Sequence, residues 1–158
     1  MRGVRFRRYK QKHRTKFGYD AETHVERLLG DRGSVERSKQ WHYDMLFVGC
    51  VKVEVKAAQL GIVRTGFKVR RVNHGWTIYC DRHKALCDEK HGYYALVLMV
   101  DADILCVRFI EARKALNHLT NSMDSTGKPR IRLGALYQAM KPEEFFSLCD
   151  KIVGGSPA

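Results

Sequence analysis

The chain has 158 residues, 44% of them hydrophobic, and a formal net charge of +12. That length suits one domain with a real core rather than two. No apolar run approaches the roughly 20 residues of a membrane span, and the start lacks an apolar secretory h-region, so neither a membrane partner nor secretion is expected. The positive charge favours a polyanionic partner: nucleic acid first, an acidic membrane surface or acidic protein after it.

Residues 1–16 carry Arg2, Arg5, Arg7, Arg8, Lys10, Lys12, Arg14 and Lys16 and no acid, which is +8 of the total. This basic arm reads either as a solvated, flexible leader or as a segment that lies on phosphates and releases counterions. An Arg-rich, acid-free start also resembles an organelle transit peptide, but no obvious processing site separates it from the rest of the chain. The five cysteines, Cys50, Cys80, Cys87, Cys106 and Cys149, are odd in number and several lie in apolar runs. Reduced thiols fit best, and with them a cytoplasmic or nucleoid-associated protein.

The main domain is expected over residues 17–152, with 153–158 as a disordered tail. Residues 17–29 predict a helix whose apolar stripe is Phe17, Ala21, Val25, Leu28 and Leu29, stopped by Gly30 and Gly33. A short strand is expected near Ser34–Ser38, then a hairpin of Tyr43–Val48 and Val51–Lys56 around Gly49. In its second strand Val51, Val53 and Val55 alternate with Lys52, Glu54 and Lys56, the period of a strand with one buried face. Residues 59–75, with Arg64, Lys68, Arg70 and Arg71, read as a basic loop or loose hairpin. A helix is expected over Asp81–Lys90, and Tyr93–Val100 reads as a central strand buried on both faces. Ile104–Phe109 is another strand, Glu111–Leu119 a helix, 120–130 a polar loop and Pro142–Ile152 a last helix. The expected class is α/β, a central mixed sheet flanked by helices.

Asp44, Glu54 and Lys56 are the candidate chemistry. Two carboxylates on adjacent strands can bind one hard divalent cation through oxygen. Such a cation polarises a phosphate and lowers the pKa of a bound water. Lys56, two residues after Glu54, points to the same face of the strand. The plain alternative is a solvated strand face, since VKVEVK is also what any half-exposed strand looks like. Register decides part of this. A two-residue Gly49-Cys50 turn would set Asp44 opposite Val55, so a shared site requires a three-residue turn or a bulge.

These residues resemble the PD-(D/E)XK nuclease superfamily, and within it the archaeal-type Holliday junction resolvases. The matching pieces are Gly18, Glu22, Ser34–Ser38, Asp44 and Glu54-Val55-Lys56, within roughly residues 14–110. Tyr43 stands where a proline is usual. The resemblance implies a single-domain restriction-endonuclease-like fold that cuts branched DNA with Mg²⁺, or Mn²⁺ in its place. It implies that Glu22, Asp44, Glu54 and Lys56 are catalytic. The metal would be held by Asp44, Glu54, the Val55 carbonyl and Glu22, with Glu26 a rival one turn on. Ser38 would sit near the scissile phosphate, and His83 or Lys84 in the place of a further polar helix residue. DNA contacts are expected from Arg5, Arg7, Arg8, Lys10, Lys12, Arg14, Lys16, Arg64, Lys68, Arg70 and Arg71. A four-way junction cut symmetrically implies a homodimer. A restriction- or repair-type nuclease on linear or damaged DNA, and a non-catalytic nucleic-acid-binding module, are the alternatives.

Two further groups stand apart. Cys80, His83, Cys87 and His91 are zinc-type ligands at helical spacing, but one straight helix cannot wrap four of them around a tetrahedral metal, so packing is the better reading. Leu136, Tyr137, Phe145 and Phe146 can serve either a core or an interface.

Overall fold

A computed structural model describes residues 18–59, 75–100, 103–120 and 128–155, and the backbone of 62–65 and 68–71. The first helix (α1) covers residues 18–30. It buries Ala21, Val25 and Leu29 completely, one residue per turn on a single stripe. The chain then turns through Gly33, whose N–H donates to the Leu29 carbonyl at 3.0 Å. A side chain on Gly33 would meet Val48 Cγ1 at 2.7 Å, so glycine lets the helix end sit against the first hairpin.

Three strands come next: β1 (Val35–Arg37), β2 (Met45–Phe47) and β3 (Val51–Gln59). β4 (Ile62–Thr65) and β5 (Lys68–Arg71) form a separate antiparallel hairpin, and β6 (Trp76–Thr77) leads to α2 (Cys80–Asp88). β7 (Gly92–Val100) and β8 (Asp103–Glu111) complete the main sheet. α3 (Ala112–Ala115), a 3₁₀ turn, β9 (Arg130–Ile131), a second 3₁₀ turn and α4 (Pro142–Val153) finish the described chain.

The main sheet is five-stranded and mixed, in the order β1-β2-β3-β7-β8. β3 and β7 run parallel, from Lys52↔Gly92 to Gln59↔Met99, and the other pairs are antiparallel. α2 lies on the parallel crossover between β3 and β7, where a helix is the usual connection. β7 is buried on both faces, which its sequence predicts. Tyr93, Ala95, Val97 and Met99 pack with α1 and α4, while Tyr94, Leu96 and Leu98 pack with α2, α3 and Trp76. The fold is therefore a mixed α/β sheet between two layers. Among the described residues no helix is long and apolar enough to cross a membrane, and all five cysteines are free.

Several expectations need correction. The helix expected over Glu111–Leu119 is α-helical only from Ala112 to Ala115, with a 3₁₀ turn over Leu116–His118. Glu111 belongs to β8, where it pairs with Tyr93, so the ladder claims the expected helix start. β3 outruns its alternating pattern because the parallel pairing with β7 carries it to Gln59. Of the two readings of 59–75, loop or loose hairpin, the hairpin is the one formed, as β4 and β5. Trp76 and Arg130–Ile131, assigned to no strand by sequence, pair as β6 and β9. A Cβ at Gly75 (φ 123°) would lie 1.9 Å from the Ile131 carbonyl oxygen, so only glycine allows that approach. The basic arm, residues 121–127 and the last three residues lie outside the described residues. Phe145 and Phe146 are core, whereas Tyr137 is 95% exposed.

Candidate active site

The site is built on the β2–β3 hairpin. Its register is Met45↔Val53, Leu46↔Lys52 and Phe47↔Val51, so the connection is the three residues Val48, Gly49 and Cys50. Val48 and Gly49 take φ of 47° and 76°, which lets the chain reverse tightly. The paired register stops at Met45, one residue before Asp44. The Asp44 N–H donates to the Val53 carbonyl at 2.9 Å, one residue off the continued register, so Asp44 sits at an irregular edge of the ladder, just outside regular pairing. The Asp44 carboxylate is fixed in turn: its Oδ2 accepts the Val55 N–H at 2.8 Å.

Glu54 is only 5% exposed. A carboxyl on a solvated strand face would not be, so the plain alternative fails at this residue. Burial, and then the Asp44 charge beside it, push the Glu54 carboxyl up to about 9, against a smaller opposing pull from Lys56 and Arg82. Glu22 reaches the same place from the start of α1. Its carboxyl is also raised, by burial and then by Asp44, with Arg37 pulling the other way. The Asp44 carboxylate acts on both glutamates, so three carboxyls, from α1, from β3 and from the residue before β2, lie near one another.

Such crowding is the donor chemistry of a hard divalent cation: oxygen only, like-charged and partly withdrawn from water. Among the described residues no group of three or more His, Cys, Asp or Glu side chains is arranged to hold a metal ion. In this conformation Glu22 accepts from Arg37 Nη1 at 2.8 Å and Asp44 from Val55, so the donors are turned to protein partners. The residues fit a cation by kind and by charge, with Asp44 and Glu54 as the nearest pair and Glu22 beside them. Glu26 is paired with Arg37 Nε of β1, the same arginine that binds Glu22.

The other side of the site is cationic. Lys56 is half-buried, with its ammonium 5.2 Å from the centre of the Tyr79 ring. Arg82 (5.0 Å) and Lys128 (4.1 Å) lie over the same ring. Sequence reasoning missed Tyr79, Arg82 and Lys128. The spacing of Tyr79 and Arg82 across the first turn of a helix was readable, but Lys128 arrives from a remote segment and no local pattern marks it.

Ser38 stands next to Asp44, donating its N–H to the Asp44 carbonyl at 2.8 Å, while its Oγ accepts the Gln40 N–H at 2.9 Å. The remaining candidates fall elsewhere. His83 is buried. Its Nδ1 shares a 2.7 Å hydrogen bond with the Tyr94 hydroxyl and its Nε2 lies 3.4 Å from Cys87 Sγ. Burial lowers its pKa and raises that of Cys87. This is a packed pair on the inner face of α2, while Lys84 and Cys80 are exposed. The backbone of Arg64, Lys68, Arg70 and Arg71 lies on the β4–β5 hairpin. Arg5, Arg7, Arg8, Lys10, Lys12, Arg14 and Lys16 lie outside the described residues. Compared with known proteins, the chain matches no family model and no curated sequence.

Proposed function

We propose that this protein is a metal-dependent endodeoxyribonuclease of the PD-(D/E)XK type, with a restriction-endonuclease-like core, acting on branched DNA as a Holliday junction resolvase. The observation that carries the reading is Glu54: a buried carboxyl set beside Asp44, with Lys56 next on the same strand face. A buried carboxyl beside a second carboxylate is costly to a fold unless a proton or a cation joins it. The order helix, three antiparallel strands, helix, parallel strand supports the same reading.

In this proposal Asp44 and Glu54 hold Mg²⁺ or Mn²⁺, with Glu22 and the Val55 carbonyl completing the set. A bound cation of this kind supplies an activated water and neutralises charge on the phosphate. The Val55 N–H orients the Asp44 carboxylate and keeps it beside Glu54. Lys56 stabilises the charge that grows on the phosphate oxygens as the phosphodiester is attacked. The basic arm and the β4–β5 hairpin would supply phosphate contacts to the flanking DNA, in an intracellular homodimer whose paired sites face two strands.

The test is a Mg²⁺-dependent cleavage assay on a four-way junction, a duplex and a single strand of matched sequence. Preferential cutting of the junction supports resolution. Cutting of duplex alone moves the protein to the restriction or repair type. Binding without cutting, in Mg²⁺ and in Mn²⁺, would leave a nucleic-acid-binding module.

A further inference from the structure

Tyr79 precedes α2 as its N-cap but makes no side-chain capping bond, and tyrosine is not among the residues that favour this position. It is 38% exposed, so it is not core either. What the ring does is collect cations: Lys56, Arg82 and Lys128 all lie within 5.2 Å of its centre. They come from β3, from α2 and from the segment leading into β9. Among the described residues neither Lys56 nor Arg82 is in an ion pair, although the exposed Asp81 stands next to Arg82 in the chain. Three like charges gathered on one ring repel one another. The electron-rich ring face offsets part of that, and an anion between them would offset more.

The cluster also lies near the carboxyl site, since Lys56 stands two residues from Glu54 on the same face of β3. Lys56 and Arg82, which share the Tyr79 ring, are the two cations that act on Glu54. An anionic half, able to hold a cation, therefore lies against a cationic half. A nucleic-acid backbone offers successive phosphates at a fixed spacing, so a strand whose scissile phosphate is held at the carboxyls presents a neighbouring phosphate nearby. With cations seated on the ring, Tyr79 is poorly placed to stack a base, and the site suits phosphate instead.

We propose that Tyr79 organises Arg82 and Lys128 into a clamp for the backbone phosphate adjacent to the one presented to Asp44 and Glu54. The placement of that phosphate rests on the phosphodiesterase reading above. These are positioning residues: they fix the strand, and Lys56 alone of the ring's cations serves the reaction.

The experiment measures binding of a fluorescein-labelled duplex and four-way junction to the full chain in EDTA, across a salt series. Arg82→Ala and Lys128→Ala should each lower the log–log salt slope, and the two together should lower it by about 0.9, the contribution of one duplex phosphate contact. Each should weaken binding several-fold. Tyr79→Leu should lose close to both contributions, whereas Tyr79→Phe, which keeps the ring face, should bind like wild type. Circular dichroism checks the Tyr79→Leu fold, and the Arg82→Ala arm, at an exposed side chain, decides the matter if that variant unfolds. If Arg82→Ala and Lys128→Ala keep the wild-type slope while wild type cuts DNA in Mg²⁺, the clamp is wrong and the nuclease reading stands. If their slopes fall while wild type fails to cut in Mg²⁺ or Mn²⁺, the phosphate contacts stand and the nuclease reading is wrong. No binding of wild type to either DNA overturns both.

Discussion

Glu54→Gln should make the metal-free protein more stable while abolishing cleavage. The Glu54 carboxyl ordinarily titrates near 4.5 and is pushed up to about 9 in the fold. At pH 7 the folded protein must keep a proton there that the unfolded chain has released. Neutral pH is about 2.5 units above the ordinary value and each unit is worth 1.36 kcal/mol, so the cost is on the order of 3 kcal/mol. Glutamine carries no such charge but gives up one hydrogen-bonding partner, worth about 1 kcal/mol. A net gain of roughly 2 kcal/mol remains, or roughly 4–8 °C in Tm for a chain of this size. Because the folded value is raised, the wild-type contribution is fully present below pH 4.5 and is lost as pH rises toward 9. Wild type in EDTA should therefore be more stable at pH 5 than at pH 8.5. Glu54→Gln should flatten that difference, and Mn²⁺ should restore the wild-type loss at pH 8.5 by taking the proton's place. Urea denaturation of both proteins at the two pH values, with EDTA or Mn²⁺, measures each quantity. Equal pH dependence in wild type and Glu54→Gln would refute the claim that this buried carboxyl strains the fold.

Asp44→Asn should also lose cleavage and calorimetric Mn²⁺ binding while keeping DNA affinity, because an amide is a poor ligand for a hard cation; wild-type cutting rates would remove Asp44 from the site. Lys56→Ala should lose cleavage but still bind Mn²⁺ in the same titration, since an ammonium cannot be a ligand. Deleting residues 1–16 should weaken DNA binding and flatten its salt dependence, by about 0.9 in slope for each phosphate the arm neutralises; an unchanged slope takes the arm off the binding surface. Gly92→Ala would set a Cβ 2.2 Å from the Leu86 carbonyl at the end of α2. It should cost about 1–3 kcal/mol of stability by overpacking, read in the same urea assay. Sedimentation should find a homodimer, and a monomer with full junction-cutting activity would contradict the symmetric arrangement.

The sequence by itself determined the elements whose apolar pattern is strong and local. The stripe Ala21, Val25 and Leu29 specified α1, the continuous run Tyr93–Val100 specified the central strand, and the D-x9-E-x-K spacing marked Asp44, Glu54 and Lys56. Their local periods match how helices and strands bury side chains. Tertiary structure decided what depends on pairing between distant segments. The three-residue turn at Val48–Cys50, with two residues at positive φ, set the β2–β3 register, and Asp44, just outside it, bonds the Val53 carbonyl and the Val55 N–H on either side of Glu54. Parallel pairing with β7 lengthened β3, and pairing with Tyr93 held Glu111 in β8. Burial turned Glu54 from one charge on an alternating strand into a strained carboxyl, because parallel pairing sets it beside Tyr94 on the sheet face that packs with α2, a face that the alternation alone assigns to solvent. The clamp at Tyr79 joins β3, α2 and a segment about 50 residues further on. Its members share no local period, so only the packed chain brings them to one ring.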